Sequence, residues 1–329
     1  MSEADQALVA DFSALTPDTV LNAVEEVLGE RCSNLCRPLN SYINRVYEIG
    51  LASGETVIAK FYRPGRWSRD ALQDELDFLQ ELSAAEVPVV PPIAGRGGTV
   101  LHALGPIWFT LFPKKGGRAL DEPDAAIWSQ LGRLIGRMHQ VGAQRMPRDR
   151  IYMDPLDSTT DQVEYILDSG LVSPEHEAQY EDICFDLIDL TAPLFEDVPI
   201  LRIHADCHAG NILYRPGEGF HLLDFDDLSV GPAVQDLWLI LPDRLPQARR
   251  ELDWLLNGYQ LFYDFPMETL TLIEPLRAMR FIHYTAWCVR QKADGGFSRL
   301  APDWGSSAFW QQEIIDLDRQ RAEITSPRF

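Results

Sequence analysis

His204-Ala205-Asp206-Cys207-His208-Ala209-Gly210-Asn211 and, a short way on, Asp224-Phe225-Asp226-Asp227 form the stretch on which the reading of this chain turns. An apolar run, Val198-Pro199-Ile200-Leu201-Arg202-Ile203, leads into it. Between the two motifs, Ile212-Leu213-Tyr214, a turn at Pro216-Gly217-Glu218-Gly219 and Phe220-His221-Leu222-Leu223 have the pattern of a short β-hairpin. An aspartate, an asparagine five residues on and a second aspartate past a hairpin supply what phosphoryl transfer requires. The first carboxylate, Asp206, can orient a hydroxyl and accept its proton. The oxygen of Asn211 and the carboxylate of Asp224 can hold Mg2+ against nucleotide phosphates. Hard oxygen donors suit magnesium, whereas zinc takes thiolates or imidazoles. Any one of these residues would serve as a turn cap. The chemistry is signalled by three ligand types in fixed order with strand patterning between them.

The order is that of the protein-kinase pattern H-R-D-x-x-x-x-N followed by D-F-G, which this stretch resembles. Upstream, Val46-Tyr47-Glu48-Ile49, a turn at Ala52-Ser53-Gly54-Glu55 and Thr56-Val57-Ile58-Ala59-Lys60-Phe61-Tyr62 read as a hairpin like the first of a kinase small lobe. Lys60 then sits where a strand presents a lysine to the α- and β-phosphates of ATP. The glycine-rich loop of protein kinases is absent; the matching turn is Asn40-Ser41-Tyr42-Ile43-Asn44. Ser41 there is either a phosphate contact, through hydroxyl and backbone N–H, or an ordinary turn serine. Trp67-Ser68-Arg69-Asp70 opens a helix with Leu72, Leu76, Leu79 and Leu82 as its apolar stripe. Glu75 on that helix is the candidate ion-pair partner for Lys60, with Asp74 beside it as the competitor.

At 329 residues with nearly half of them apolar, the chain can bury a substantial core and form two lobes. A net charge of −21 argues against a general nucleic-acid binder and against docking on anionic membranes. A basic protein segment is a possible substrate, although net charge alone does not select one. Cys32, Cys36, Cys184, Cys207 and Cys288 are scattered and odd in number. Cys32 and Cys36, four apart, could supply half a metal site, but no second pair completes it, and no disulfide framework is expected. The acidic start Met1-Ser2-Glu3-Ala4-Asp5 lacks the character of a signal peptide, and no run reaches membrane-spanning length. These features predict a reduced, soluble, cytoplasmic protein.

Thr16-Pro17 caps and opens a first helix whose stripe is Val20, Val24, Val27 and Leu28, with Gly29 ending it. Strands are expected near Thr99-Val100-Leu101-His102 and over Ile107–Phe112, after which Pro113-Lys114-Lys115-Gly116-Gly117 changes the composition. The lobe boundary is placed there: residues 1–113 form a nucleotide-binding lobe and 114–329 a catalytic lobe. Backbone groups around Leu111 to Pro113 can meet an adenine edge. Helices are expected from Ala125 to Gln140, Arg249 to Tyr263, Ile273 to Arg290 and Trp310 to Ala322, with further helical patterns between Asp157 and Phe195. Arg277, Arg280 and Arg290 on the third of the four named helices either serve substrate or face water, with water favoured, and Asp236 is expected to brace a loop. The fold class is therefore α+β, two-lobed and protein-kinase-like, with a small antiparallel sheet in the N-lobe and a mostly helical C-lobe.

The first motif also resembles the H-G-D-x-H-x-x-N loop of the aminoglycoside phosphotransferase and choline kinase superfamily. With Leu39–Tyr47, Ala59-Lys60-Phe61-Tyr62-Arg63-Pro64, Gly231–Trp238 and Glu274–Arg280 added, nearly the whole chain resembles the bacterial stress response kinase A family. That resemblance implies a cytoplasmic, monomeric, Mg2+-dependent serine/threonine protein kinase protecting cells under envelope or oxidative stress. It implies Asp206 as proton acceptor, Asn211 and Asp224 as magnesium ligands and Ser41 at the phosphates of ATP. Relative to eukaryotic kinases, Ala205 replaces the arginine of H-R-D, which removes a reader of activation-loop phosphorylation. Asp226 replaces the glycine of D-F-G and either braces the site or caps the next turn. The rival reading is a small-molecule kinase for an amino alcohol or aminoglycoside; a non-catalytic nucleotide-binding scaffold and a metal-dependent hydrolase stand further off.

Overall fold

The first helix, α1 (Pro17–Leu28), starts where Thr16 accepts the Thr19 N–H at 3.2 Å and stops at Gly29, whose φ of 68° is left-handed. The computed structural model, which begins its description just ahead of this helix, covers residues 12–118, 123–215, 217–292, 297 and 301–326. The acidic N-terminal start and Pro216 of the expected turn lie outside the described residues. Five strands follow or flank the next helix: β1 (Cys32–Leu39), β2 (Arg45–Leu51), β3 (Thr56–Phe61), α2 (Arg69–Ala84), β4 (His102–Leu104) and β5 (Ile107–Pro113). They pair antiparallel in the order β1-β2-β3-β5-β4.

Two details differ from the sequence expectation. β1 carries no alternating pattern because it is an edge strand, half exposed and irregular between Cys32 and Cys36. β4 begins at His102, later than expected, because a turn closed by the Gly95 N–H on Thr99 O at 2.8 Å occupies the preceding residues. Along β3 the period of two separates the faces. Val57, Ala59 and Phe61 join Val20, Ala23 and Val24 of α1 in the apolar core, with Phe61 stacked on Phe109 at 4.9 Å. Ile58 and Lys60 are left for the opposite face.

The rest of the chain is mostly helical: α3 (Ala125–Gly142), α4 (Thr160–Asp168), α5 (Glu177–Thr191), β6 (Ile200–Ile203), β7 (Ile212–Arg215), β8 (Gly219–Leu222), β9 (Ser229–Pro232), α6 (Val234–Trp238), α7 (Arg249–Tyr259), α8 (Ile273–Gln291) and α9 (Ser307–Thr325). This is the α+β, kinase-like fold expected. The chain divides into two compact units. The first comprises the described parts of Met1–Arg150, His204–Leu228 and Leu239–Asp264; the second comprises those of Ile151–Ile203, Ser229–Trp238 and Phe265–Phe329. Among the described residues no helix is long and apolar enough to cross a membrane, and none of the cysteines is in a disulfide.

In the first unit α3 and α7 meet backbone to backbone. A Cβ on Gly132 would lie 1.9 Å from Leu255 O, one on Gly136 2.5 Å from Tyr259 O, and one on Gly258 1.9 Å from Ser129 O. His139, fully buried, completes the contact with an Nδ1 to Tyr259 hydroxyl bond of 2.7 Å.

In the second unit β6 pairs with β9, and the Met153 N–H donates to Val230 O at 2.7 Å. Of the three arginines of α8, Arg280 is exposed as expected, whereas Arg277 and Arg290 are half-buried. Arg277 lies 4.5 Å over Trp238 and 3.2 Å from Glu274, and Arg290 lies 4.2 Å over Tyr165. A guanidinium is weakly hydrated and stacks on rings, so partial burial there is favourable.

Gly132→Ala tests the helix contact. Helix propensity alone would stabilise by about 1 kcal/mol, but collision with the Leu255 carbonyl should reverse the sign and destabilise by about 1–3 kcal/mol, read from the urea midpoint. A second test concerns His283, 3.1 Å from the Thr159 hydroxyl, where burial, reinforced by Arg290 and Arg280, pushes the imidazole down to about 4. An unfolded histidine binds its proton near pH 6.5. Stability is therefore lost as pH falls from about 6.5 to about 4. Between about pH 7 and 4.5, His283→Gln should remove roughly 2 kcal/mol of that loss in urea unfolding.

Candidate active site

Lys60 reaches from β3 into a ring of carboxylates. Its Nζ lies 3.2 Å from Glu75 Oε1, 3.1 Å from Asp224 Oδ1 and 3.2 Å from Asp226 Oδ1. Of the two acids considered on α2, Glu75 faces the lysine and also accepts the Tyr62 hydroxyl at 3.2 Å. Asp74 instead accepts the backbone N–H groups of Arg148 and Asp149 at 2.7 and 2.9 Å. A helix turns about 100° per residue, so adjacent acids cannot share a face. Burial would strip the proton from Lys60, but Asp226, Glu75 and Asp224 outweigh it and hold the ammonium charged well above the ordinary lysine range.

Asp226, left open by the sequence between brace and turn cap, is a brace. Its side chain is 6% exposed, with Oδ1 3.3 Å from Asn44 Nδ2 and Oδ2 2.8 Å from Arg66 Nη1. Burial raises its pKa, yet Lys60, Arg66 and Arg150 prevail and keep it ionised well below the usual carboxylate range. Arg150, wholly buried, donates to the Asp226 carbonyl at 2.7 Å and to Ala71 O at 2.8 Å, and its Nη2 lies 3.4 Å from Glu75 Oε2. Asn44 also accepts the Arg63 N–H at 3.0 Å, so the loop after β1 is stapled to Asp226. Sequence reasoning missed Asn44, Arg66 and Arg150. The one local signal was the position of Arg66, just past the strand that carries Lys60.

The loop from His204 to Asn211 is set by its own backbone bonds. His204 Nε2 donates to Leu223 O at 2.8 Å, and its Nδ1 accepts the Asp206 N–H at 3.3 Å. Both ring nitrogens are thus committed to the backbone, which makes this imidazole a strut. The Leu223 N–H in turn donates to Asn211 O at 2.9 Å. Leu223 is held at both its polar groups by the loop, and Asp224 follows it. Asn211 Nδ2 donates to Asp206 O at 2.9 Å and lies 3.4 Å from Asp206 Oδ2. Ala205 and Asp224 occupy left-handed backbone, with φ of 67° and 57°; such residues cost about 1–2 kcal/mol each and persist where the surroundings demand them. Phe225, between the two acids, is buried against Phe78 of α2 at 5.8 Å and against the His204 ring at 4.5 Å.

A cavity of about 270 Å³ opens beside these groups. Val46, Ile58, Leu79, Val90, Phe112 and Leu222 are among its apolar lining, and Ser41, Asn44, Lys60, Glu75, Lys115 and Asp224 are its polar lining. Asp206 and Asn211 are not among its lining residues; they belong to the adjoining loop. The Asp224 side chain is 57% exposed and Asp206 25%, so both carboxylates can meet a ligand.

This pairing of a five-stranded sheet with a lysine-lined cavity and a strutted acidic loop is a kinase-like phosphotransferase architecture. The model of the phosphotransferase enzyme family matches residues 35–269. Stress response kinase A of Escherichia coli strain K12 is 36% identical over 317 residues, covering 96% of this chain and 95% of its own length. The serine/threonine protein kinase RdoA of Salmonella typhimurium strain LT2 is 34% identical over the same coverage. The chain belongs to the phosphotransferase enzyme family and, within it, to the stress response kinase A family. Among solved structures, an amicoumacin kinase in complex with AMP-PNP, Ca2+ and Ami superposes with a TM-score of 0.72 at 20% identity, covering 98% of this chain and 96% of the other. A microcompartment-associated aminopropanol kinase gives 0.71 at 18%, covering 93% and 98%. These two likenesses bear on the fold.

Asp226→Ala tests the buried charge cluster. Lys60 and Arg66 would lose a shared partner without gaining solvent, so the protein should be destabilised by about 3–5 kcal/mol in urea denaturation.

Proposed function

We propose that this protein is an ATP- and Mg2+-dependent serine/threonine protein kinase acting in bacterial stress response. The observation that carries the proposal is the buried Lys60–Glu75 pair, which lines the cavity together with Asp224. The relatives' names, stress response kinase A and serine/threonine protein kinase RdoA, support the acceptor class. In this reading residues 1–113 are the nucleotide-binding lobe and 114–329 the catalytic lobe of a cytoplasmic monomer. Adenine lies among Val46, Ile58, Leu79, Val90 and Phe112, with its edge on backbone groups near Leu111 to Pro113. Ser41 contacts the phosphates, and Lys60, held by Glu75, grips the α- and β-phosphates.

Asn211 and Asp224 suit magnesium. Both offer oxygen, Asp224 is solvent-accessible, and Asn211 has its amide nitrogen committed to Asp206 while its oxygen serves as the ligand atom. Held by these two residues, magnesium would supply positive charge to the nucleotide phosphates. Asp206 orients the acceptor hydroxyl in line with the γ-phosphorus and takes its proton as the new P–O bond forms. The bond to the bridging β,γ-oxygen breaks and ADP leaves with that electron pair. Positioning and charge stabilisation provide most of the rate, and the base contributes about 10²–10⁴-fold.

Asp206→Asn should therefore lower transfer by about 10²–10⁴-fold while leaving ATP affinity, measured by calorimetry, within about threefold. Wild-type protein given γ-labelled ATP and cell extract should place label on serine or threonine of a protein. Label found instead on an amino alcohol or amino sugar would move the acceptor to the small-molecule class. An Asp206→Asn variant with near-normal turnover would remove Asp206 as the base.

A further inference from the structure

The catalytic loop holds a second histidine that the reaction above leaves without a task. His208 begins the short turn Ala209–Asn211, and its Nδ1 accepts the Gly210 N–H at 2.9 Å. A ring nitrogen that accepts carries no proton, so neutral His208 bears its hydrogen on Nε2. That nitrogen lies 3.4 Å from Asp206 Oδ2, the same oxygen that lies 3.4 Å from Asn211 Nδ2. One carboxylate oxygen of the proposed base thus faces two N–H donors.

Gly210 provides a separate observation. Its φ is outside the left-handed region, so the backbone does not call for glycine there. A Cβ at this position would stand 2.7 Å from His208 Cε1 and 2.9 Å from its Nδ1. A side chain at 210 would push the imidazole out of its place. The ring is therefore seated twice over, by a hydrogen bond and by the space left for it.

A turn cap alone would not need an imidazole. Asparagine, serine or aspartate caps such an N–H at least as well, and each lacks an atom where Nε2 stands. The side chain of His208 is 41% exposed, so the ring is not there to fill a core. We infer that His208 is a positioning residue for the base: its Nε2–H, aimed by Gly210, fixes the orientation in which the Asp206 carboxylate meets the acceptor hydroxyl. This rests on Asp206 acting as proton acceptor.

The test uses the full-length protein with ATP and Mg2+, reading transfer to myelin basic protein and, with no acceptor added, to water. His208→Asn keeps the cap on Gly210 and removes the second donor. It should lower kcat about tenfold or more with the KM for ATP within about twofold and the unfolding midpoint unchanged. His208→Gln, which restores an N–H at the reach of Nε2, should recover most of the loss. Gly210→Ala should reproduce the loss by displacing the ring, and Gly210→Ala combined with His208→Asn should be no slower than either alone. Wild-type kcat in His208→Asn, no recovery in His208→Gln, or losses that multiply in the double variant would each overturn the inference. Asp206→Asn run alongside separates the failures: if it stays active, the base assignment itself falls, whereas an inactive Asp206→Asn beside a fully active His208→Asn sinks only the role of His208.

Discussion

Lys60 carries a positive charge at a place where its side chain is only 9% exposed, and the first unit is built around keeping it there. An isolated ammonium in such surroundings would lose its proton or unfold the protein. Three carboxylates within 3.2 Å reverse that outcome, and they come from two directions. Glu75 is delivered by α2, and Asp224 and Asp226 by the segment after β8. The lysine therefore ties the sheet, the helix and the acidic segment together by one charge. Arg66 and Arg150 extend the same alternation of signs outward, so that Asp226 meets cations at both of its oxygens and its carbonyl.

The loop bearing Asp206 relies on neutral hydrogen bonds instead. His204 and Asn211 clasp the backbone of Leu223 from both sides, and Phe225 fills the space beneath. Two residues in left-handed backbone, Ala205 and Asp224, are the cost of that geometry. Strain of this kind survives only where neighbouring contacts leave the chain no alternative. One acid therefore sits on a mount of neutral hydrogen bonds, and the other on a charged, partly exposed one.

Much of this was legible in the sequence, and the legible part is short-range. The caps of α1, the alternation that sends Lys60 to the face opposite Phe61, the hairpin β7–β8 and the spacing from Asp206 to Asn211 all follow from neighbours a few residues apart. Their periods and turn chemistry are properties of the backbone, so they can be read from a single chain. The order of Asp206, Asn211 and Asp224 likewise lies within one stretch of sequence.

What only the tertiary structure decided is which distant groups meet. Asn44 and Asp226 are 182 residues apart, and Arg150 and Asp226 are 76 apart. Glu75 is the candidate in the sequence because it lies along the stripe of Leu72, Leu76, Leu79 and Leu82, but only the packing of that helix shows it meeting Lys60 while Asp74 takes the Arg148 and Asp149 backbone N–H groups. The edge strand β1 and the glycines of α3 were opaque for the same reason. A strand with one free edge needs no alternation, and a helical glycine is explained only by the carbonyl of another helix pressing where its Cβ would be. Local sequence sets the pieces because backbone geometry repeats over short distances. Their partners are set by packing, which compares surfaces that the linear chain keeps far apart.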